Sequence, residues 1–221
     1  IPDDMVYRSK WKIALELCDR AVAHGVMFHW LTFDEGYGGK PLFLQGLDGR
    51  KQRFVAEVPT TFSCWTKRPR VTERPFRRGG RGRLRKVPRL VAAASAPQSV
   101  QDLVENWSEL RDQAWTRYYV KDGEKGPLVW EAKHARIVMK NDDGLPGIEL
   151  HLLVARNALD HDEVKYFVSN APSDTTVETL LLVAFSRWRV ERSFRDQKQE
   201  IGLDQWEGRC YVGLKRHLIL S

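Results

Sequence analysis

Residues 67–89 (KRPRVTERPFRRGGRGRLRKVPR) hold eleven Lys and Arg against one acid, Glu73. The run has six Gly or Pro residues and no apolar periodicity, so it offers no face to a core and is predicted to be a loop or an arm without regular structure. It divides the 221-residue chain into two parts that must fold around it. The formal net charge of the whole chain is +7, the run alone carries +10, and the remainder is slightly acidic at −3. A cationic run of this density has polyanions such as nucleic acid as natural partners, through phosphate neutralisation and counterion release. The plainer alternative is a solvated linker that contacts nothing.

Outside the run the chain reads as an ordinary globular protein. Hydrophobic residues make up 42%, which argues against wholesale disorder. No stretch of about 18 apolar residues occurs, so no membrane span and no membrane partner is expected. Cys18, Cys64 and Cys210 are odd in number and form no CxxC pair, which indicates neither a disulfide frame nor a zinc site and suits a reducing cytosol. The six His are scattered without metal-ligand spacing. Ile1 opens the chain with no initiator Met and no secretory segment, so a missing start or an excised piece is expected.

Periodicity predicts the order of elements. Residues 9–24 read as an amphipathic helix with an apolar stripe of Trp11, Ala14, Leu15, Cys18 and Val22, capped by Ser9 and ended by Gly25. VMFHWLTF (26–33) reads as a buried strand, and RFVAEV (53–58) as another, limited by Pro59. Residues 99–113 resemble a short helix. Four strand-like runs between about 115 and 170, divided by Gly, Asn and Asp turns, predict an antiparallel meander. From about 175 the chain returns to helix, with Ser173 or Asp174 as cap. The segments are 1–66, the basic arm 67–98, a mainly β part 99–172, and 173–221.

Two places carry candidate chemistry. Asp34 follows the first buried strand and opens a Gly-rich turn, EGYGG, the position where α/β folds gather reactive groups; a turn-forming Asp is the bland reading. In the last helix Arg187, Glu191 and Lys198 are spaced by four and seven residues. At about 100° per residue they share one narrow stripe, with Trp188, Val190 and Phe194 on its flanks. Taken alone, Glu191 reads as a salt-bridge partner at i,i+4. Trp115 and Trp130 read first as core residues, Tyr37 as a packing residue, and Asp204 and Trp206 as shaping a turn.

The stretch RWRVERSFRDQKQEIGLDQWEGRCYVGLKRHL (187–218) resembles the glutamate-bearing helix of DDE transposases of the IS4 supergroup, closest to its IS701-type branch. That family carries a Tyr, two residues, an Arg, three residues, a Glu, six residues and a Lys. Arg187, Glu191 and Lys198 match the spacing, while the Tyr position falls on Ala184, with Phe185 beside it. TFDEGYGG resembles the segment of the second catalytic Asp, and KYFVSNAPSDTTVETL (165–180) resembles the run-in to the helix.

The resemblance implies an α/β fold: an RNase H-like catalytic core interrupted between Asp34 and Glu191 by an antiparallel β insertion. It implies that Asp34 and Glu191 are catalytic and bind metal, two of three carboxylates around a pair of Mg²⁺ ions (Mn²⁺ as a substitute). Arg187 and Lys198 would contact DNA phosphates, Arg77, Arg78, Arg81, Arg83, Arg85 and Lys86 of the basic arm would bind DNA, and Trp130 would have a lesser claim to stack on a flipped base. DNA is the implied partner, in a synaptic homodimer, in the bacterial cytoplasm at the nucleoid. Only Asp3 and Asp4 precede the first helix, so the first catalytic Asp and three core strands are expected to be missing, and the chain alone to be inactive and poorly soluble. Two alternatives stay open: a non-catalytic DNA-binding remnant or regulator, and a nuclease of the same fold.

Overall fold

The computed structural model describes residues 6–76, 84, 86–123, 126–202, 204–205, 208 and 210–220, without the side chains of residues 123, 188, 189, 191, 219 and 220. Helix α1 (Lys10–Ala23) leads into strand β1 (Leu31–Phe33), the short α2 (Glu35–Gly38) and α3 (Pro41–Gly49). Strands β2 (Phe54–Glu57) and β3 (Ser63–Trp65) precede a two-stranded ribbon, β4 (Val71–Thr72) with β5 (Arg89–Leu90). Then come β6 (Gln98–Ser99), α4 (Val100–Asn106), α5 (Ser108–Arg111) and the meander β7 (Thr116–Gly123), β8 (Gly126–Lys140), β9 (Pro146–Asn157) and β10 (Val164–Ser169). Helix α6 (Val177–Ala184), a 3₁₀ turn (Phe185–Arg187), α7 (Trp188–Ile201) and α8 (Tyr211–Leu220) complete the chain.

Eight strands form one sheet in the order β1-β2-β10-β9-β8-β3-β6, with β7 also paired to β8. Among the described residues only β1 and β2 run parallel, joined across α2 and α3; the other pairs are antiparallel. The meander predicted for 115–170 is therefore present, and it shares a sheet with the strands on either side of Asp34.

Both faces of the sheet are covered where β2, β9 and β10 cross it, so successive residues of these strands are apolar on both sides. Phe54, Ala56, Leu152 and Val154 face a core closed by α1, α3, α4 and α5, while Val55, Leu153, Ala155 and Phe167 face a second core under α6. Gly46 of α3 lets α1 approach closely, since a Cβ there would stand 2.5 Å from Leu15 Cδ1. Arg50 fastens the pair with two 2.7 Å hydrogen bonds to the Asp19 carboxylate.

Several local expectations change. The first strand spans only Leu31–Phe33, because its upstream part pairs with nothing among the described residues. The apolar stripe of α1 stops at Cys18, and Val22 is exposed. Ser9 stands at the N-cap position without a side-chain cap bond. Residues 100–111 form two helices broken at Trp107, the first opened by a capping box between Ser99 and Asp102. Thr176, not Ser173 or Asp174, caps α6. The long terminal helix is interrupted at 185–187, and its second half ends at Gly202 in the left-handed conformation (φ 65°). The basic run contributes a β-ribbon stem where an arm without regular structure was expected. Cys18 is half-buried, Cys64 buried and Cys210 exposed, and all three are free.

Candidate active site

Asp34 is the first residue after β1, and its backbone carbonyl accepts from the N–H groups of Tyr37 (3.1 Å) and Gly38 (2.8 Å). That closes the turn through the main chain, so the side chain is not consumed as a cap. The Asp34 residue is exposed and makes no side-chain hydrogen bond or ion pair among the described residues. With Tyr7, Lys10, Trp11, Gly36, Tyr37 and Lys40 it lines a cleft of about 530 Å³. Tyr37 also packs on Phe43, with ring centroids 5.3 Å apart, in agreement with its packing role.

Gly38 seats the turn on the neighbouring strand. A Cβ at this position would lie 1.9 Å from the Glu57 carbonyl oxygen, so only glycine allows α2 to rest on the end of β2. Parallel register pairs Phe33 with Ala56, so Asp34 and Glu57 are the next residues along at the same end of the two strands.

Glu57 connects this end to the C-terminal helices. Its carboxylate accepts from Lys165 Nζ at 2.9 Å, and Arg187 Nη2 approaches the other oxygen at 3.8 Å. Arg187 closes the 3₁₀ turn, which packs against β1, and it immediately precedes α7. Glu191 lies in the first turn of α7; its side chain is outside the described residues. Lys198 lies three turns beyond Arg187, half-exposed, with its Nζ 3.8 Å from Asp204. It borders a separate surface cleft with Phe194 and Arg195. Val190 and Phe194 are each 52% exposed, so they do not bury the flanks of the stripe.

The remaining candidates separate. Trp130 is 3% exposed, with Phe185 stacked on it at 4.5 Å, so it is a core residue and not an open platform for a base. The burial follows from the 3₁₀ turn, which carries Phe185 back onto the sheet while Lys121 Nζ donates to the Phe185 carbonyl. Ala184, at the position of the family's Tyr, is buried at the end of α6. Trp115 is partly buried between cations, with the Arg156 guanidinium 4.3 Å and Lys133 Nζ 5.0 Å from its ring. Lys86 is exposed; Arg77, Arg78, Arg81, Arg83, Arg85 and Trp206 lie outside the described residues.

Among the described residues no three His, Cys, Asp or Glu side chains converge on a metal position. Asp34 offers an exposed carboxylate without a side-chain hydrogen bond or ion pair among the described residues, a hard oxygen donor of the kind Mg²⁺ takes. Sequence reasoning missed Glu57 and Lys165. The available signal was the acid second to last in RFVAEV, at the end of an apolar run as Asp34 is.

A family model described as DDE superfamily endonuclease matches residues 1–127, which include Asp34, Glu57 and the whole basic run. No curated protein matches the chain at significant similarity. A mixed α/β fold around a mostly antiparallel sheet is compatible with an RNase H-like DDE nuclease. With more than half of its length matched by that model, the chain belongs to the DDE superfamily endonucleases.

Proposed function

We propose that the chain is part of an IS4-supergroup DDE transposase of the IS701 type, which cuts DNA at insertion-sequence ends and joins it to a target. The observation that carries this reading is the Arg187, Glu191, Lys198 spacing, with Glu191 and Lys198 on a helix and Arg187 in the turn before it, which packs against the strand that leads to Asp34. DNA is the substrate, and the acting form is a homodimer that holds two ends together at the bacterial nucleoid.

Asp34 and Glu191, with a third carboxylate, would hold Mg²⁺ or Mn²⁺, and the bound ions would activate the attacking oxygen and stabilise the leaving one in an in-line displacement. Arg187 neutralises a phosphate near the cut while Glu57 holds its guanidinium at the sheet end. Lys198 reaches a phosphate further along the strand, about 16 Å away by helical rise. The basic run, with Arg77, Arg78, Arg81, Arg83, Arg85 and Lys86, tracks the flanking duplex.

The test is Mg²⁺-dependent cleavage of labelled insertion-sequence ends by the full-length parent protein, compared with its Glu191→Gln and Asp34→Asn forms. Loss of at least a hundredfold in rate is expected for each, and undiminished cleavage removes the assignment. A nuclease without joining activity is the second reading, favoured by the description of the matched family. Supplying pre-cut donor ends and measuring strand transfer separates the two.

A further inference from the structure

The stem of the basic ribbon places three guanidinium-bearing residues around one opening. Arg70, Arg74 and Arg89 line an open cleft of about 800 Å³ on the β4–β5 pair, along with Thr72 and Val91. The ribbon is held by Val71–Leu90 and Thr72–Arg89 pairing and by the Val91 N–H, which donates to the Arg70 carbonyl at 3.1 Å. Its base is pinned to the main sheet. The buried Trp65 donates its indole N–H to the Ser95 carbonyl at 2.9 Å, and Arg68 donates to the Gly147 carbonyl at 2.6 Å.

Arg89 is a positioned cation: its guanidinium sits 4.0 Å over the Phe76 ring and donates to the Arg74 carbonyl at 2.8 Å. None of the three side chains pairs with a carboxylate among the described residues, although Glu73 lies between two of them in sequence. Like charges gathered on a fixed frame repel one another, and an arriving anion relieves that repulsion. The opening is wide and has no enclosing wall, so it suits a segment of a charged polymer better than a small anion.

We propose that Arg70, Arg74 and Arg89 form a seat for the phosphate backbone of duplex DNA, with Arg89 held in place by Phe76, distinct from the arginines of residues 77–85. This rests on the DNA-acting reading above and assigns a contact outside the site of cutting. A two-stranded ribbon is narrow enough to follow the duplex surface beside a major groove about 12 Å wide. The contact carries no sequence information, because it reaches backbone phosphates only.

The experiment measures binding of the 221-residue chain to a labelled duplex of arbitrary sequence, in chelator, across a series of salt concentrations. Each phosphate contact contributes about −0.9 to the slope of log K against log salt. Substituting Arg70→Gln and Arg74→Gln together, which leaves Arg89 on Phe76, should make the slope shallower by about 2. Adding Arg89→Gln should take the change to between about 2 and 3, and circular dichroism checks that each variant keeps its fold. An unchanged slope in the folded double variant overturns the proposal, as does a slope that changes equally with a single-stranded probe of the same length. Because no metal is present, the result is independent of Asp34 and Glu191. Cleavage can fail in the parent while this slope change persists, and the reverse.

Discussion

The Arg187 guanidinium stands 3.8 Å from the Glu57 carboxylate, joining the turn before α7 to the end of β2. Lys165 reaches the same carboxylate from β10 at 2.9 Å, so three separate elements meet there. Glu57 follows the residue paired with Phe33, next to the turn that carries Asp34. The orientation of α7 is thus tied to the strand end through one half-buried acid.

Glu57→Gln keeps the shape but removes the charge that both cations share. The groups remain partly solvated, so the loss of global stability should be modest, on the order of 0.5–1 kcal/mol. The local effect should be larger. Hydrogen exchange of the first amides of α7 should speed up more than that of β9, where protection is set by the core. Equal changes in both regions would show that Glu57 does not tether α7.

The sheet was legible where period and turn chemistry agree. The meander follows from apolar runs separated by turns such as DDGLPG, and α1 from its stripe. What could not be read was set by distant partners. The break at 185–187 appears because Phe185 stacks on Trp130, more than fifty residues earlier, and nothing in SRWRVERSF itself stops a helix. The ribbon stem consists of two-residue strands whose cross-strand partner lies beyond a long charged stretch, so no local period announces it. At the candidate site Asp34 and the Arg187 spacing were visible, whereas Glu57 acquires its meaning only from register.

His134 Nε2 and His151 Nδ1 are 2.9 Å apart, and His151 Nε2 lies 3.0 Å from the Pro172 carbonyl and 3.2 Å from that of Ala171. The carbonyls require a proton on His151 Nε2, leaving Nδ1 to accept from His134. Burial pushes His134 down to about 4, with His151 and Arg136 adding repulsion, and burial lowers His151 too. The groups facing the pair include Arg136, Glu149 and Gln113.

A depressed His pKa means that the unfolded chain takes up protons first as pH falls. The stability is therefore complete above about 6.5 and is lost as pH drops toward about 4, by on the order of 2–3 kcal/mol for His134. Melting temperatures across this window should fall more steeply for the native chain than for His134→Gln. Parallel curves would show that the pair does not set the acid limb.

Trp130 gives opposite expectations for its two readings. As a core residue under Phe185, its truncation to Ala should destabilise the fold by about 3–5 kcal/mol. Its indole N–H is buried without a partner among the described residues, so Trp130→Phe removes an unsatisfied donor and should lose far less than the Ala form. A surface platform for a base would tolerate both substitutions in thermal melts and lose DNA affinity instead.

Gly38→Ala tests whether close seating of the Asp34 turn matters. The added methyl would meet the Glu57 carbonyl oxygen at 1.9 Å and its carbon at 3.0 Å, both backbone atoms that cannot rotate away. Either α2 lifts from β2 or the end of β2 shifts, and overpacking of this kind costs about 1–3 kcal/mol. The Gly38 N–H donates to the Asp34 carbonyl, so lifting α2 also displaces Asp34 from the cleft it lines. Gly49→Ala is the matched control, because a Cβ there meets nothing within 4 Å. The control should melt at or slightly above the native temperature, through reduced freedom of the unfolded chain. In the full-length parent, Gly38→Ala should slow cleavage more than its stability loss accounts for, while Gly49→Ala leaves the rate unchanged. Equal rates and equal melts for the two variants would mean that the turn does not depend on this contact.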